Sequence, residues 1–234
     1  MKTLAIAAGA LVCAVTTSTF AQNAPPPQPG VETVVVEDVV VTTVRAPRRA
    51  LEIGVEAGYT QGFGSATSDA RVGAGVGGTL GLSLDDRVNP HWSFGVRGQY
   101  QGYAASGRRA EPASLRGVTL DLHTTYHLAP YERLDPSISI GGGYRMLIES
   151  PADGSPAAIL HGIQLGKVEF GLDVRPSESV AISPMVGVDV NLFTGRTGGL
   201  ESRASNTGTV TTFVFAGLKG RFDLGGTRVS RLAM

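Results

Sequence analysis

The sequence predicts an all-β protein, an eight-stranded antiparallel up-and-down transmembrane β-barrel. Three observations lead there. Eight segments between Leu51 and Leu224 alternate apolar with small or polar residues, the period of a strand whose faces meet different surroundings. The connections between them alternate long and short. The minority face carries glycines and charges of both signs, while the apolar face carries almost none. Composition agrees. Of 234 residues 32 are glycine, and only 17% are charged, against about 25% in an ordinary soluble domain. Lys plus Arg is 20 and Asp plus Glu is 20, so the bulk positive charge of a nucleic-acid binder is missing.

Residues 1–21 read as a secretory signal peptide. Met1 and Lys2 start it, Thr3 to Val15 are apolar, and Thr19-Phe20-Ala21 suits cleavage after Ala21. The apolar run is shorter than the roughly 20 residues a spanning helix needs. Sec-type export follows. The one cysteine, Cys13, leaves with this segment, so the mature chain has no disulfide and no Cys-built metal site. Residues 22–49 are a Pro/Val-rich periplasmic linker. Pro25, Pro26, Pro27 and Pro29 keep its start extended. Val31 to Val44 holds eight valines and reads as a β-prone tether. Within it, Glu32-Thr33-Val34-Val35-Val36 resembles the TonB box of TonB-dependent transporters, a strand that pairs with a partner's sheet edge. That resemblance implies a periplasmic partner at residues 31–44.

The barrel is expected over 50–224, with 225–234 as a tail. Strand one sets Leu51, Ile53, Val55, Ala57 and Tyr59 against Glu52, Gly54, Glu56 and Gly58. Strand two sets Val76, Leu80, Leu82 and Leu84 against Gly77, Thr79, Gly81 and Ser83. Strand three opposes Trp92, Phe94, Val96 and Tyr100 to Ser93, Gly95, Arg97 and Gln99. Strand four opposes Val118, Leu120, Leu122 and Tyr126 to Thr119, Asp121, His123 and His127. In strand five, Ile138, Ile140, Tyr144 and Met146 face away from Ser139, Gly141, Gly143 and Arg145. In strand six, Val168, Phe170 and Leu172 face away from Lys167, Glu169 and Asp173, while Ile163 and Leu165 are out of phase. A bulge near Gly166 reconciles the two halves. Strand seven alternates Ile182, Val186, Val188, Val190 and Leu192 with Ser183, Gly187, Asp189 and Asn191. Strand eight alternates Val214, Ala216, Leu218 and Phe222 with Gly217, Lys219, Arg221 and Asp223. Long connections fall at Gly62–Val72, Gly102–Leu115, Leu147–Ala158 and Thr194–Gly208. Short turns fall at Asp85–Asn89, Ala129–Asp135 and Arg175–Ser179.

Alternation alone suits a soluble barrel too. The minority face decides. Its glycines would weaken a solvent-facing strand but fit the crowded interior of eight strands. Its charges, Glu52, Glu56, Arg97, Asp121, Arg145, Lys167, Glu169, Asp173, Asp189, Lys219 and Arg221, can pair across that interior as a lumen network. Tyr59, Trp92, Tyr100, Tyr126, Tyr144 and Phe222 suit an aromatic girdle near the strand ends.

Leu51–Leu224 as a whole resembles the small eight-stranded outer-membrane barrels of the OmpA/OmpX type. The turn Leu128–Pro136 is similar to turns in that family. Ala216–Phe222 resembles the last-strand signal read by the barrel assembly machinery, except that Asp223 to Met234 follow it. The resemblance implies location in the cell outer membrane and contact with outer-membrane lipid and lipopolysaccharide. It also implies handling by periplasmic chaperones and the assembly machinery. The role expected is structural or surface-interactive, with a salt-bridged polar lumen. The alternatives are a narrow gated pore and a lipid-modifying enzyme.

Other chemistry reads weakly. Gly73-x-Gly75-x-x-Gly78 matches a dinucleotide fingerprint in letters only, because an alternating strand follows where a helix is required. Asp121, His123 and His127 share a face, but the two histidines are about 13 Å apart along a strand, too far for one ion. His161 with Ser155 or Glu149 is the only candidate acid–base pair at the outer rim, and no motif joins them. Arg108-Arg109 reads as a solvated loop pair or as a contact for lipopolysaccharide phosphates. No catalytic residue, metal, cofactor or nucleic-acid partner is expected.

Overall fold

In the computed structural model, residues 46–64, 73–106, 114–150, 154, 156–198 and 208–226 are described. The signal peptide, the 31–44 segment, Arg108, Arg109, Ser155 and residues 227–234 lie outside them. Eight strands run β1 (Ala50–Phe63), β2 (Gly73–Arg87), β3 (Trp92–Ser106), β4 (Ser114–His127), β5 (Leu134–Ser150), β6 (Ala158–Ser177), β7 (Val180–Gly198) and β8 (Thr209–Leu224). Each pairs antiparallel with the next, and β8 pairs back onto β1, so the sheet closes. Closure removes the edges that an open sheet exposes to aggregation.

The two faces of the alternation separate cleanly. In β1, Glu52, Gly54 and Glu56 are buried, while Leu51, Ile53 and Val55 are exposed. In β4, Leu120 and Leu122 are 60% and 67% exposed, while Asp121 between them is 1% exposed. A soluble core would reverse this order. Among the described residues, exposed charged side chains sit only at the two ends. Arg48, Arg49, Asp86, Glu132, Arg133 and Glu178 lie at the short-turn end, and Arg116 lies at the long-loop end.

The strands are longer than the sequence suggests, from 14 to 20 residues. At the long-loop end, Gly102–Ser106, Leu147–Ser150 and Thr194–Gly198 are strand. Their small and polar residues alternate weakly in hydropathy, and only their cross-strand partners reveal the ladder. Asp85 to Arg87, Asp135, and Arg175 to Ser177 are strand too, so the short turns are tighter than expected. A strand of about 15 residues tilted about 40° rises roughly 38 Å, more than the apolar band of about 25 Å. Both rims therefore project beyond an apolar slab of that height.

The register slips between Gln164 and Gly166 where β6 meets β7. The extra residue lets Ile163, Leu165 and Phe170 all face outward, at 53%, 57% and 53% exposure. At the closing seam Gly58 lies opposite Gly217. A Cβ on Gly58 would come within 2.8 Å of the Gly217 Cα, so this close approach requires glycine on both strands. Just before β1, the Ala46 N–H donates to the Pro130 carbonyl at 3.0 Å, and Ala46 and Pro47 are buried.

Candidate functional site

Among the described residues, chemistry-bearing side chains converge in the interior. It is layered. At the short-turn end Arg87 binds Glu52, donates to the Pro90 carbonyl at 2.7 Å and lies 3.1 Å from Nε2 of His127. Nδ1 of His127 is 2.8 Å from Asp135. Arg221 binds Asp173 and lies 3.6 Å from Glu52. Arg175 pairs with Asp223 at 2.6 Å. One step inward, His123 sits between Asp85 at 2.6 Å and Asp121 at 3.3 Å, with Lys219 at 3.9 Å from Asp85.

Mid-barrel, Arg97 reaches three carboxylates from three other strands. Its Nη1 is 2.7 Å from Glu169 and 3.5 Å from Glu56, and its Nε is 3.2 Å from Asp121. Lys167 stands 3.8 Å from Glu169 and 4.0 Å from Asp121. Gln99 donates to Glu56. All of these side chains are buried. Charges so far from water persist only when paired and hydrogen-bonded. Nine carboxylates and seven Lys and Arg side chains are buried among the described residues. The two buried histidines each lie between two of those carboxylates.

Toward the long-loop end Arg145 donates to Asp189 at 2.7 Å and to Gln101 at 2.6 Å, and its guanidinium lies 3.6 Å over the Phe213 ring. Above it the interior turns apolar. Tyr103, Leu115, Leu147, Leu160, Phe193 and Phe213 form one buried cluster. This layer differs from the expectation that large apolar residues all point out. Glycines make room for it, since a Cβ on Gly162 would come within 2.7 Å of Phe193. At the mouth Arg196 faces Glu149 at 3.8 Å. A cavity of about 10 Å³ among Thr125, Ser139, Asp173, Ser183, Lys219 and Arg221 has room for about one water.

All eleven residues expected in the lumen network are buried. The structure brings Glu56, Arg97, Asp121, Lys167 and Glu169 into one group, Glu52, Asp173 and Arg221 into a second, and Arg145 with Asp189 into a third. Sequence reasoning passed over Arg87, Arg175, Asp85 and Asp135, and left Asp223, already placed on the inward face of strand eight, out of the network. The signal of the first group was present in β2, where Asp85 and Arg87 continue the phase of Gly81 and Ser83. Read as polar clusters, they looked like turns. The aromatic residues Tyr59, Trp92, Tyr100, Tyr126, Tyr144 and Phe222 all face outward, between 38% and 48% exposed. Trp92 packs on Tyr126 with ring centroids 4.8 Å apart.

The other candidates separate. His123 and His127 join different groups. His127, Asp135 and Asp173 come within 4.8 Å of one another. Arg221 already binds Asp173 and Arg87 approaches His127, so a metal ion there would face two guanidiniums. His161 points outward, in contact with Tyr144 and 3.0 Å from Thr197. Glu149 is turned to Arg196 instead.

No family model matches the sequence, and no curated protein matches it either. Solved structures do. The chain is similar to Neisserial surface protein A, with a TM-score of 0.50 and 13% identity over 74% of this chain and 97% of that one. It also matches the outer-membrane protein OprG of Pseudomonas aeruginosa, with a TM-score of 0.46 and 13% identity over 75% of this chain and 98% of that one. A third match is Ail, the attachment invasion locus protein of Yersinia pestis, with a TM-score of 0.41 and 13% identity over 74% and 99%. The first likeness, with the closed eight-strand sheet, gives the chain the fold of the small outer-membrane barrels.

Proposed function

We propose that the protein is an integral outer-membrane barrel with a structural or surface-interaction role, and that its interior is a closed plug. The observation that carries this reading is the stacking of two barriers. Arg97 ties together carboxylates from three other strands, and an apolar layer from Tyr103 to Phe213 lies above it. A hydrated ion crossing this interior would have to break several buried pairs and then enter a dry layer, and both steps are unfavourable. Outside, a belt without charge faces lipid, and projecting rims meet the aqueous phases. A catalytic reading loses support because His161 and Glu149 face different surroundings.

The test is single-channel conductance of the mature chain refolded into a planar bilayer, after an unheated gel shows the compact form. The expected result is a folded barrel that is silent at moderate voltage. Reproducible open steps that change with Glu52→Gln would establish the narrow gated pore instead.

A further inference from the structure

The chain ahead of β1 does not leave the barrel beside its own strand. Ala46, four residues before Ala50, donates its N–H to the Pro130 carbonyl at 3.0 Å. Pro130 lies in the turn between β4 and β5, three or four strands from β1 in the closed ring. Around the rim that is three to four spacings of about 4.8 Å, or roughly 19–25 Å once the strands tilt by about 40°. Four residues reach at most about 14 Å. The segment therefore cuts across the short-turn mouth. Ala46 and Pro47 are buried there, while Arg48 and Arg49 are exposed. The chain leaving β8 lies against the same segment. A Cβ on Gly226 would come within 2.9 Å of both the Arg48 carbonyl oxygen and the Pro47 Cβ.

Charges end just inside this mouth. Arg87 and His127 are the last residues of β2 and β4, and Asp135 is the second of β5. All three are 0% exposed. Charged side chains at the open end of a barrel would ordinarily meet water, and here the crossing segment lies over that end. Its attachment is lighter than a strand's. It buries two small side chains at its far end, and it turns into β1 through Arg49 at φ 53°. A residue with a side chain holds that left-handed conformation only where its surroundings require it. We propose that residues 46–50 form a releasable strap. Docked on Pro130, they keep the charged layer of the short-turn end dry; drawn off, they open that layer to water. The chain continues beyond Ala46, so whatever engages that end acts on the strap first. The proposal rests on the barrel reading and adds a movable cover to the fixed plug.

The experiment is thiol labelling of the mature chain refolded in detergent, with a small charged methanethiosulfonate as the probe. Gel mobility is checked first. Residues 22–234 contain no cysteine, so each introduced thiol reports alone. Ser93→Cys puts one on the inward face directly across from Arg87, at a site 1% exposed. Thr119→Cys puts one deeper, between Gln99 and Arg145, also at a site 1% exposed. With the strap intact, both should react far more slowly than in the unfolded chain. Ala46→Pro removes the N–H that reaches Pro130. It should speed labelling at position 93 about fivefold, the opening that one lost hydrogen bond gives. Arg49→Pro fixes φ near −65° and aims the strap away, so it should speed that labelling more than tenfold. Ala46→Pro lies outside every strand and carries the test alone if Arg49→Pro does not fold. Labelling at position 119 should stay slow throughout. Equal rates at position 93 with and without these changes would overturn the strap, as would a rate with the strap intact that matches the unfolded chain. Fast labelling at position 119 with the strap intact would refute the plug, while the rates at position 93 still decide the strap. A chain that never reaches the compact form would overturn the barrel reading, and the strap with it.

Discussion

Replacing Arg97 with alanine is the most direct perturbation of the interior. Arg97 touches Glu56, Asp121 and Glu169 and is 1% exposed. Removal leaves three buried carboxylates with Lys167 as the one Lys or Arg within 4.0 Å of any of them, and with His123 3.3 Å from Asp121. Lys167 stands 3.8 and 4.0 Å from Glu169 and Asp121, so it can serve only part of that charge, and Glu56 keeps Gln99 alone. Breaking a buried pair by removing one partner typically costs about 3–5 kcal/mol. Three carboxylates argue for the upper end, and rearrangement of Lys167 argues for less. A loss of about 4 kcal/mol is expected. The chain has one tryptophan, Trp92, which faces outward near the short-turn rim. Its fluorescence therefore reports urea unfolding from lipid vesicles. The double variant Arg97→Ala with Glu169→Gln should recover part of the loss, because one stranded charge disappears. A single variant within 1 kcal/mol of wild type, or a double variant that is simply additive, would refute the claim that Arg97 organises the interior.

Gly58→Leu should prevent formation of the compact form on an unheated gel, since its Cβ meets the Gly217 backbone across the seam; normal mobility would show the strands can part. Truncating the apolar layer with Phe193→Ala and Phe213→Ala should lower stability by about 3–5 kcal/mol per site. It should also admit ions, read as new conductance in a planar bilayer. Trp92 should be quenched more by lipids brominated near the headgroup than by lipids brominated near the chain end, because it sits at the end of β3. Stronger quenching from the deep label would contradict the girdle.

Much of the fold is legible because a strand in a two-sided environment must alternate, and one slipped residue would turn Leu120 inward and Asp121 out. The same rule located the Gly166 bulge. What was less legible lies at the strand ends. Asp85 and Arg87 carry the turn-like polarity that ordinarily stops a strand, yet here polarity is the inward phase. Phe213 and Phe215 failed as signals for the opposite reason. They are apolar residues on the face assigned to polar ones, and only the barrel's cross-section, narrow enough for Phe213 to stack under Arg145, shows why they belong there. Pairing partners such as Arg97 with Glu169, 72 residues apart, follow from closure and shear. Neither can be read from one strand.

The interior also constrains where function can reside. Eight strands enclose just enough space for their own side chains, and here large residues fill it from Arg87 to Phe213. A ligand entering would have to displace paired charges or a packed aromatic layer, and each displacement costs more than an ordinary small-molecule contact returns. Recognition is therefore displaced outward, to surfaces whose reshaping leaves the plug intact. On the described part of the chain those are the projecting rims and the outer wall. The dense interior and the adaptable exterior are two sides of one device: a rigid network inside lets side chains outside vary without loss of the fold.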